Sequence, residues 1–162
     1  MREIEFRGKD STGLMNHDWF YGSLDTSFNK DFPRIICKDK WGNIMLITVD
    51  GETVGQDTGL TDKKGTKIFV GDIVKFFGMV GKIICERGAF GIAFKNCIDY
   101  KKLDDLTKKR IGSSFNGVCC DNFITLYEVY WNLNNLDYSL SELEVIGNIH
   151  DNSELLEVAD GR

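Results

Sequence analysis

Proline is nearly absent from this chain of 162 residues, occurring once, at Pro33. That excludes Pro-rich linkers and polyproline segments. Histidine is almost as scarce, with His17 and His150 the only two. Two imidazoles leave little material for a zinc site or a histidine-based acid–base set. No run approaches the roughly 20 apolar residues of a membrane-spanning helix. The N-terminus lacks the basic-then-apolar plan of a secretory signal. Cationic excess is missing too: 20 Lys and Arg face 25 Asp and Glu, a net charge of −5. That balance argues against broad binding to a phosphate backbone, which draws on clustered cations. The five cysteines are odd in number, irregularly spaced and without a Cys-x-x-Cys. They fit a reducing compartment, and the expected location is the cytoplasm.

Glycine and aromatic rings are what the chain has in quantity: 17 Gly, 11 Phe, 5 Tyr and 3 Trp. Many glycines with one proline mean many tight turns rather than a flexible linker. Rings pack well on pleated surfaces, so the composition favours a β-rich core. The length fits a single domain over residues 1–158, or two subdomains sharing a core, about 1–55 and 56–158, with 159–162 a frayed tail.

Short strands follow one another along the chain. Arg2–Arg7 alternates, with Ile4 and Phe6 to one side and charges to the other. A loop through Gly8–Gly13 leads to a second strand at Trp19–Leu24. Arg34–Cys37 and Ile44–Val49 follow, and Asp50-Gly51 reads as a two-residue hairpin turn. Thr66–Val70, Ile73–Phe77, Met79–Cys85 and Ala89–Phe94 continue the pattern. Asp99–Arg110 departs from it. Asp104 with Lys108 and Asp105 with Lys109 pair at i,i+4, Asp99 suits the cap and Gly112 the stop, so a helix is expected. Phe123–Trp131 (FITLYEVYW) fits a strand or a buried helix; its β-branched and aromatic content favours strand. Glu142–Ile149 suits a closing strand, with Asn152 or Ser153 capping a short helix after it. The expected fold is mainly β (β-rich α+β): an SH3-like small barrel or curled antiparallel sheets with one or two short helices.

Thr53–Phe76, TVGQDTGLTDKKGTKIFVGDIVKF, packs three glycine-marked turns between β-type runs. It resembles the signature of the YopX family, small proteins of bacteriophages and prophages. Arg2–Lys9 (REIEFRGK), Trp19-Phe20-Tyr21-Gly22, Gly88–Phe94 (GAFGIAF) and Leu140–Leu156 (LSELEVIGNIHDNSELL) are similar to family segments in the same order. The resemblance is weakest over Asn96–Asp137. Asp57 stands where the family pattern has an aromatic, and Val70 where it has Glu. The resemblance implies a phage origin and a mainly β fold, and it implies no particular reaction.

Each candidate for chemistry has a plainer structural reading. His17-Asp18 and His150-Asp151 look like dyads, but neighbours in an extended chain point to opposite faces. Cys119-Cys120 has only Asp121 as a nearby charge, which opposes thiolate formation, so small buried hydrophobes are expected there. Gly55-Gln56-Asp57-Thr58-Gly59 would cradle a phosphate through backbone N–H groups, yet the Walker spacing is missing and a turn explains the glycines. Lys63, Lys64 and Lys67 nevertheless make this the best local place for an anion. Lys101, Lys102, Lys108, Lys109 and Arg110 read as the solvated face of a helix. Trp19, Phe20, Tyr21 and Trp41 would line an aromatic contact surface; strand alternation sends Phe20 to the core and leaves Trp19 and Tyr21 on the other face.

No catalytic set, cofactor or metal ligand set is expected. The leading reading is a non-enzymatic binding or assembly module acting on a host or phage protein, or on a second copy of itself. Its interaction surface would draw on Trp19, Tyr21, Gln56, Thr58, Lys63 and Lys67. The alternatives are a small-anion or nucleotide binder using the 55–67 region and a nucleic-acid-binding β-barrel. An enzyme would need residues distant in sequence, such as His17 with Cys85 or Glu128, to converge.

Overall fold

The computed structural model describes residues 4–117, 122–135 and 137–158. The chain divides into two compact units, Met1–Asp57 and Thr58–Arg162. Each has its own cluster of buried apolar residues.

The first unit is built from β1 (Phe6–Lys9), β2 (Trp19–Asp25), β3 (Arg34–Lys38), β4 (Ile44–Thr48) and the first residues of β5 (Gly55–Asp62). Their order is β5-β1-β2-β3-β4, antiparallel throughout. Successive residues of a strand face opposite sides. Phe6, Phe20, Leu24, Ile35, Cys37, Met45 and Ile47 therefore share one face, and with Val49 and Val54 they make the core. The sheet curls. A bridge joins Asp10 to Val49, and the Ser11 N–H donates to the Thr48 carbonyl at 3.1 Å, bringing the end of β4 back to the end of β1. Gly22 permits the close approach of β3: a Cβ there would lie 2.1 Å from the Ile36 carbonyl oxygen.

Three expectations change in this unit. Among the described residues the first strand starts at Phe6, with Ile4 and Glu5 outside it and Ile4 exposed, and it runs through Gly8 because its pairing with β2 extends to Lys9 opposite Trp19; the expected start at Arg2 lies outside the described residues. Asp50-Gly51 is not a hairpin turn. Asp50 caps a 3₁₀ turn over Gly51–Thr53, its carboxylate accepting from the Glu52 N–H. Gly55–Gly59 lies within β5 rather than in a free turn, with only Gly59 at a positive φ, 80°. Gly55 and Gln56 pair with Arg7 and Phe6, and tertiary pairing overrides the turn preference of glycine.

The second unit contains the rest of β5, then β6 (Lys67–Phe69), β7 (Asp72–Phe76), β8 (Met79–Glu86), β9 (Ala89–Phe94), α1 (Tyr100–Ile111), β10 (Phe123–Thr125), α2 (Leu126–Asn132), β11 (Ser139–Leu140), β12 (Leu143–Asn148) and α3 (Glu154–Val158). Its antiparallel sheet has the order β10-β9-β8-β7-β12, while β11 runs parallel to the end of β5. Val74, Phe76, Ile83, Ile92, Ile124 and Leu143 are fully buried at its centre. α1 forms as its sequence dictates: Asp99 accepts from the Lys102 N–H, Gly112 closes the helix in the left-handed conformation, and Asp104 pairs with Lys108.

Phe123–Trp131 corrects the expected strand. Only its first three residues pair, with β9; the rest is α2. The cause is a capping box. The Thr125 hydroxyl accepts from the Glu128 N–H, and the Glu128 carboxylate accepts from the Thr125 N–H. The short helices number three among the described residues, where one or two were expected. The fold is mainly β, made of curled antiparallel sheets rather than a closed barrel. The expected tail at 159–162, and Cys119 and Cys120, lie outside the described residues.

Candidate functional site

The core of the first unit occupies one side of its sheet, so the opposite side carries the remaining side chains. Strand pairing sets their order. Lys9 lies opposite Trp19, Arg7 opposite Tyr21, Ser23 opposite Ile36, Ile36 opposite Leu46, and Lys38 opposite Ile44. Directly paired residues point to the same face. Tyr21 (46% exposed), Ile36 (36%), Leu46 (51%) and Ile44 (68%) therefore form an apolar stripe across β2, β3 and β4.

The edges of this stripe are fixed by charged and aromatic groups. The Arg7 guanidinium lies over the Trp19 ring at 4.7 Å from its centroid, and the Lys9 ammonium at 5.7 Å. In the β3–β4 turn, the Asp39 carboxylate accepts from the Trp41 and Asn43 N–H groups and from the Asn43 side chain. These bonds hold its pKa below the usual carboxylate value, the Asn43 side chain contributing most. The turn presents Trp41, 75% exposed, with the Lys40 ammonium over its ring at 4.3 Å. At the β2 end, Arg34 donates to Asp25 through both Nε and Nη2. Asp25 is held down to about 2, first by the Ser27 side chain and backbone and then by Arg34.

Of the residues singled out from sequence, Trp19, Tyr21 and Gln56 belong to the first unit, and Thr58, Lys63 and Lys67 to the second. Trp19 and Tyr21 share the outer face, and Phe20 packs against the core. Gln56 pairs with Phe6 and so takes the core side. The Thr58 hydroxyl donates to the Ile68 carbonyl at 2.9 Å. Lys63 and Lys64 both bind the Glu144 carboxylate, which brings Glu144 down to about 2. The buried Asp62 accepts from the Lys64, Thr66 and Val145 N–H groups. This turn therefore supplies its own carboxylate to the two lysines and spends Asp62 on backbone. Lys67 is exposed at the start of β6. Sequence reasoning missed Ile36, Ile44 and Leu46.

Of the residues named for a convergent set, His17 and Glu128 have structural partners, and Cys85 is exposed near the end of β8. A His17 ring nitrogen meets the Asp10 carbonyl at 3.0 Å, and Glu128 serves the α2 cap. Burial pushes the Cys37 thiol up, against thiolate formation. Among the described residues, no group of three or more His, Cys, Asp and Glu is placed to hold a metal ion, and no helix is long and apolar enough to cross a membrane. The second unit exposes its own ring pair, Tyr127 and Trp131, one helical turn apart on α2 and edge to face at 5.9 Å.

The YopX protein family matches residues 5–157. The chain belongs to the YopX family. The match takes in both units of this YopX chain, from the residue before β1 to α3. Among solved structures, the crystal structure of protein EF1440 from Enterococcus faecalis is 20% identical, with 96% of this chain and 99% of that chain covered and a TM-score of 0.48. No curated protein matches.

Proposed function

We propose that this YopX-family chain is a non-enzymatic binding or assembly module of phage or prophage origin, acting on a protein through the outer face of its first sheet. The observation that carries this reading is the apolar stripe of Tyr21, Ile36, Ile44 and Leu46. If a fully exposed large apolar side chain offers roughly 200 Å², the four present on the order of 400 Å², a scale at which surface patches mark contact sites. Tyr21 and the neighbouring Trp41 are residue types that concentrate binding energy. The carboxylates with lowered pKa support the same reading, since each is engaged in a turn, a loop or an ion pair.

The test compares proteins captured from host-cell lysate by the wild-type chain and by Tyr21→Glu, quantified by mass spectrometry. Tyr21 lies on an exposed face, so the variant should melt within a few degrees of wild type. A partner enriched on the wild type and lost on the variant supports the reading. Identical protein sets on both overturn it.

A further inference from the structure

The two sheets treat their edges differently. A bare edge strand offers unpaired N–H and C=O groups to any other chain, and proteins blunt such edges with charges, bulges, covering segments or short length. In the second unit, β12 has all but the last. It is bulged between Val145 and Gly147, carries Glu144, and is covered by the 62–64 turn, where the Lys63 N–H donates to the Leu143 carbonyl and Asp62 accepts from the Val145 N–H. The opposite edge, β10, has three residues.

β4 has none of these protections over most of its length. It ends the order β5-β1-β2-β3-β4, and its sequence, IMLIT, has no charge and no proline. Two hydrogen bonds show which groups face outward. The Val49 N–H donates to Pro33, on the β3 side, whereas the Thr48 carbonyl accepts from Ser11, on the far side. Backbone groups alternate in direction along an antiparallel strand. Met45 and Ile47 therefore bond to β3, and Ile44 and Leu46 turn their N–H and C=O groups to the open edge. Among the described residues, nothing hydrogen-bonds to those groups there.

From this we infer that β4 pairs with β4 of a second copy, antiparallel about a two-fold axis at Met45. This rests on the binding-module reading and names its first partner. In that register Ile44 exchanges backbone hydrogen bonds with Leu46 of the second copy, and Leu46 with Ile44 of the second copy. The pairing uses the open stretch and stops short of Thr48, whose carbonyl Ser11 already occupies. It places Ile44 and Leu46 side by side as apolar cross-strand pairs, with no like charges opposed. The two sheets become one, and the apolar stripes of the two copies join across the axis. An interface that uses the same patch on both partners is self-complementary, as a two-fold dimer requires.

Sedimentation velocity over a concentration series tests this on the full chain. The wild type should sediment as a dimer. Leu46→Pro removes one outward N–H without touching the β3 ladder, and Ile44→Lys places a charge on the edge; each should shift the species to monomer, with circular dichroism unchanged. Tyr21→Glu, two strands away, should leave the dimer intact. A wild type that stays monomeric throughout, or a dimer that survives both edge substitutions, overturns the inference. Capture of a partner that depends on Tyr21 but not on Leu46 would leave the binding reading standing while the dimer fell.

Discussion

A single missing side chain shapes the second sheet. Gly91 lies in β9 opposite Thr125, beneath the ring of Phe123. A Cβ at this position would lie 2.3 and 2.4 Å from two ring carbons of Phe123 and 2.6 Å from the Ile124 carbonyl oxygen. The ring can turn aside only by disturbing β10, and the carbonyl belongs to the ladder. Gly91→Ala should therefore destabilise the protein by about 1–3 kcal/mol, the usual cost of overpacking. A urea titration measures this, and an unchanged midpoint would refute the account. The same scale explains what sequence disclosed about the candidate site. Trp19 and Tyr21 were legible because ring, ring, ring in Trp19-Phe20-Tyr21 must split between two faces of a strand. Ile36, Ile44 and Leu46 were not, because RIICK and IMLIT are apolar at both odd and even positions. Without alternation, nothing in the residues says which of them faces water.

Elements were legible where local signals and tertiary pairing agree. β7, β8 and β9 are short runs set off by Gly71, Gly78 and Gly88, each at positive φ. α1 has its cap, its stop and its ion pair in the sequence. Gly55–Gly59 failed because glycine marks turns locally, whereas here two neighbouring strands claim β5 along its length. Phe123–Trp131 failed because ring-rich composition suits either state; the deciding signal, Thr125 with Glu128 three residues on, was present within the run. That capping box is the start of α2, and the helix is short enough to depend on it. Thr125→Ala removes the acceptor for the Glu128 N–H and should cost about 1 kcal/mol, while Thr125→Ser should recover most of it. The melting temperatures of the two variants report the difference. Equal loss in both would mean that the Thr125 methyl group, not its hydroxyl, is what the structure uses.

At the scale of the whole molecule, lowered carboxylate pKa values in both units set the response to acid. Asp10 is held down to about 2, with the Thr12 hydroxyl the largest cause and the Met15 and Thr12 N–H groups assisting. Asp25 is also held at about 2, chiefly by Ser27, and Glu144 at about 2, chiefly by Lys63 and then Lys64. Each group binds its proton more weakly when folded than when unfolded. The stabilisation it gives is thus complete above the unfolded values of 3.8 for the aspartates and 4.5 for the glutamate, and is lost as pH falls through the folded values. The lysines act at the other end. The raised pKa of Lys64, caused mainly by Glu144, gives stability that persists to high pH and fades only as that ammonium deprotonates. The urea midpoint should accordingly stay level near neutrality and fall steeply between about pH 4 and pH 2. Asp10→Asn separates this from a general effect of positive charge. Its midpoint should be lower than wild type at neutral pH, because one oxygen acceptor is lost from the 10–15 loop, yet fall less on acidification, because one proton-linked group is gone. Parallel acid limbs for the two proteins would show that Asp10 titrates alike in the folded and unfolded chain, and the loop bonds would then not be what lowers its pKa.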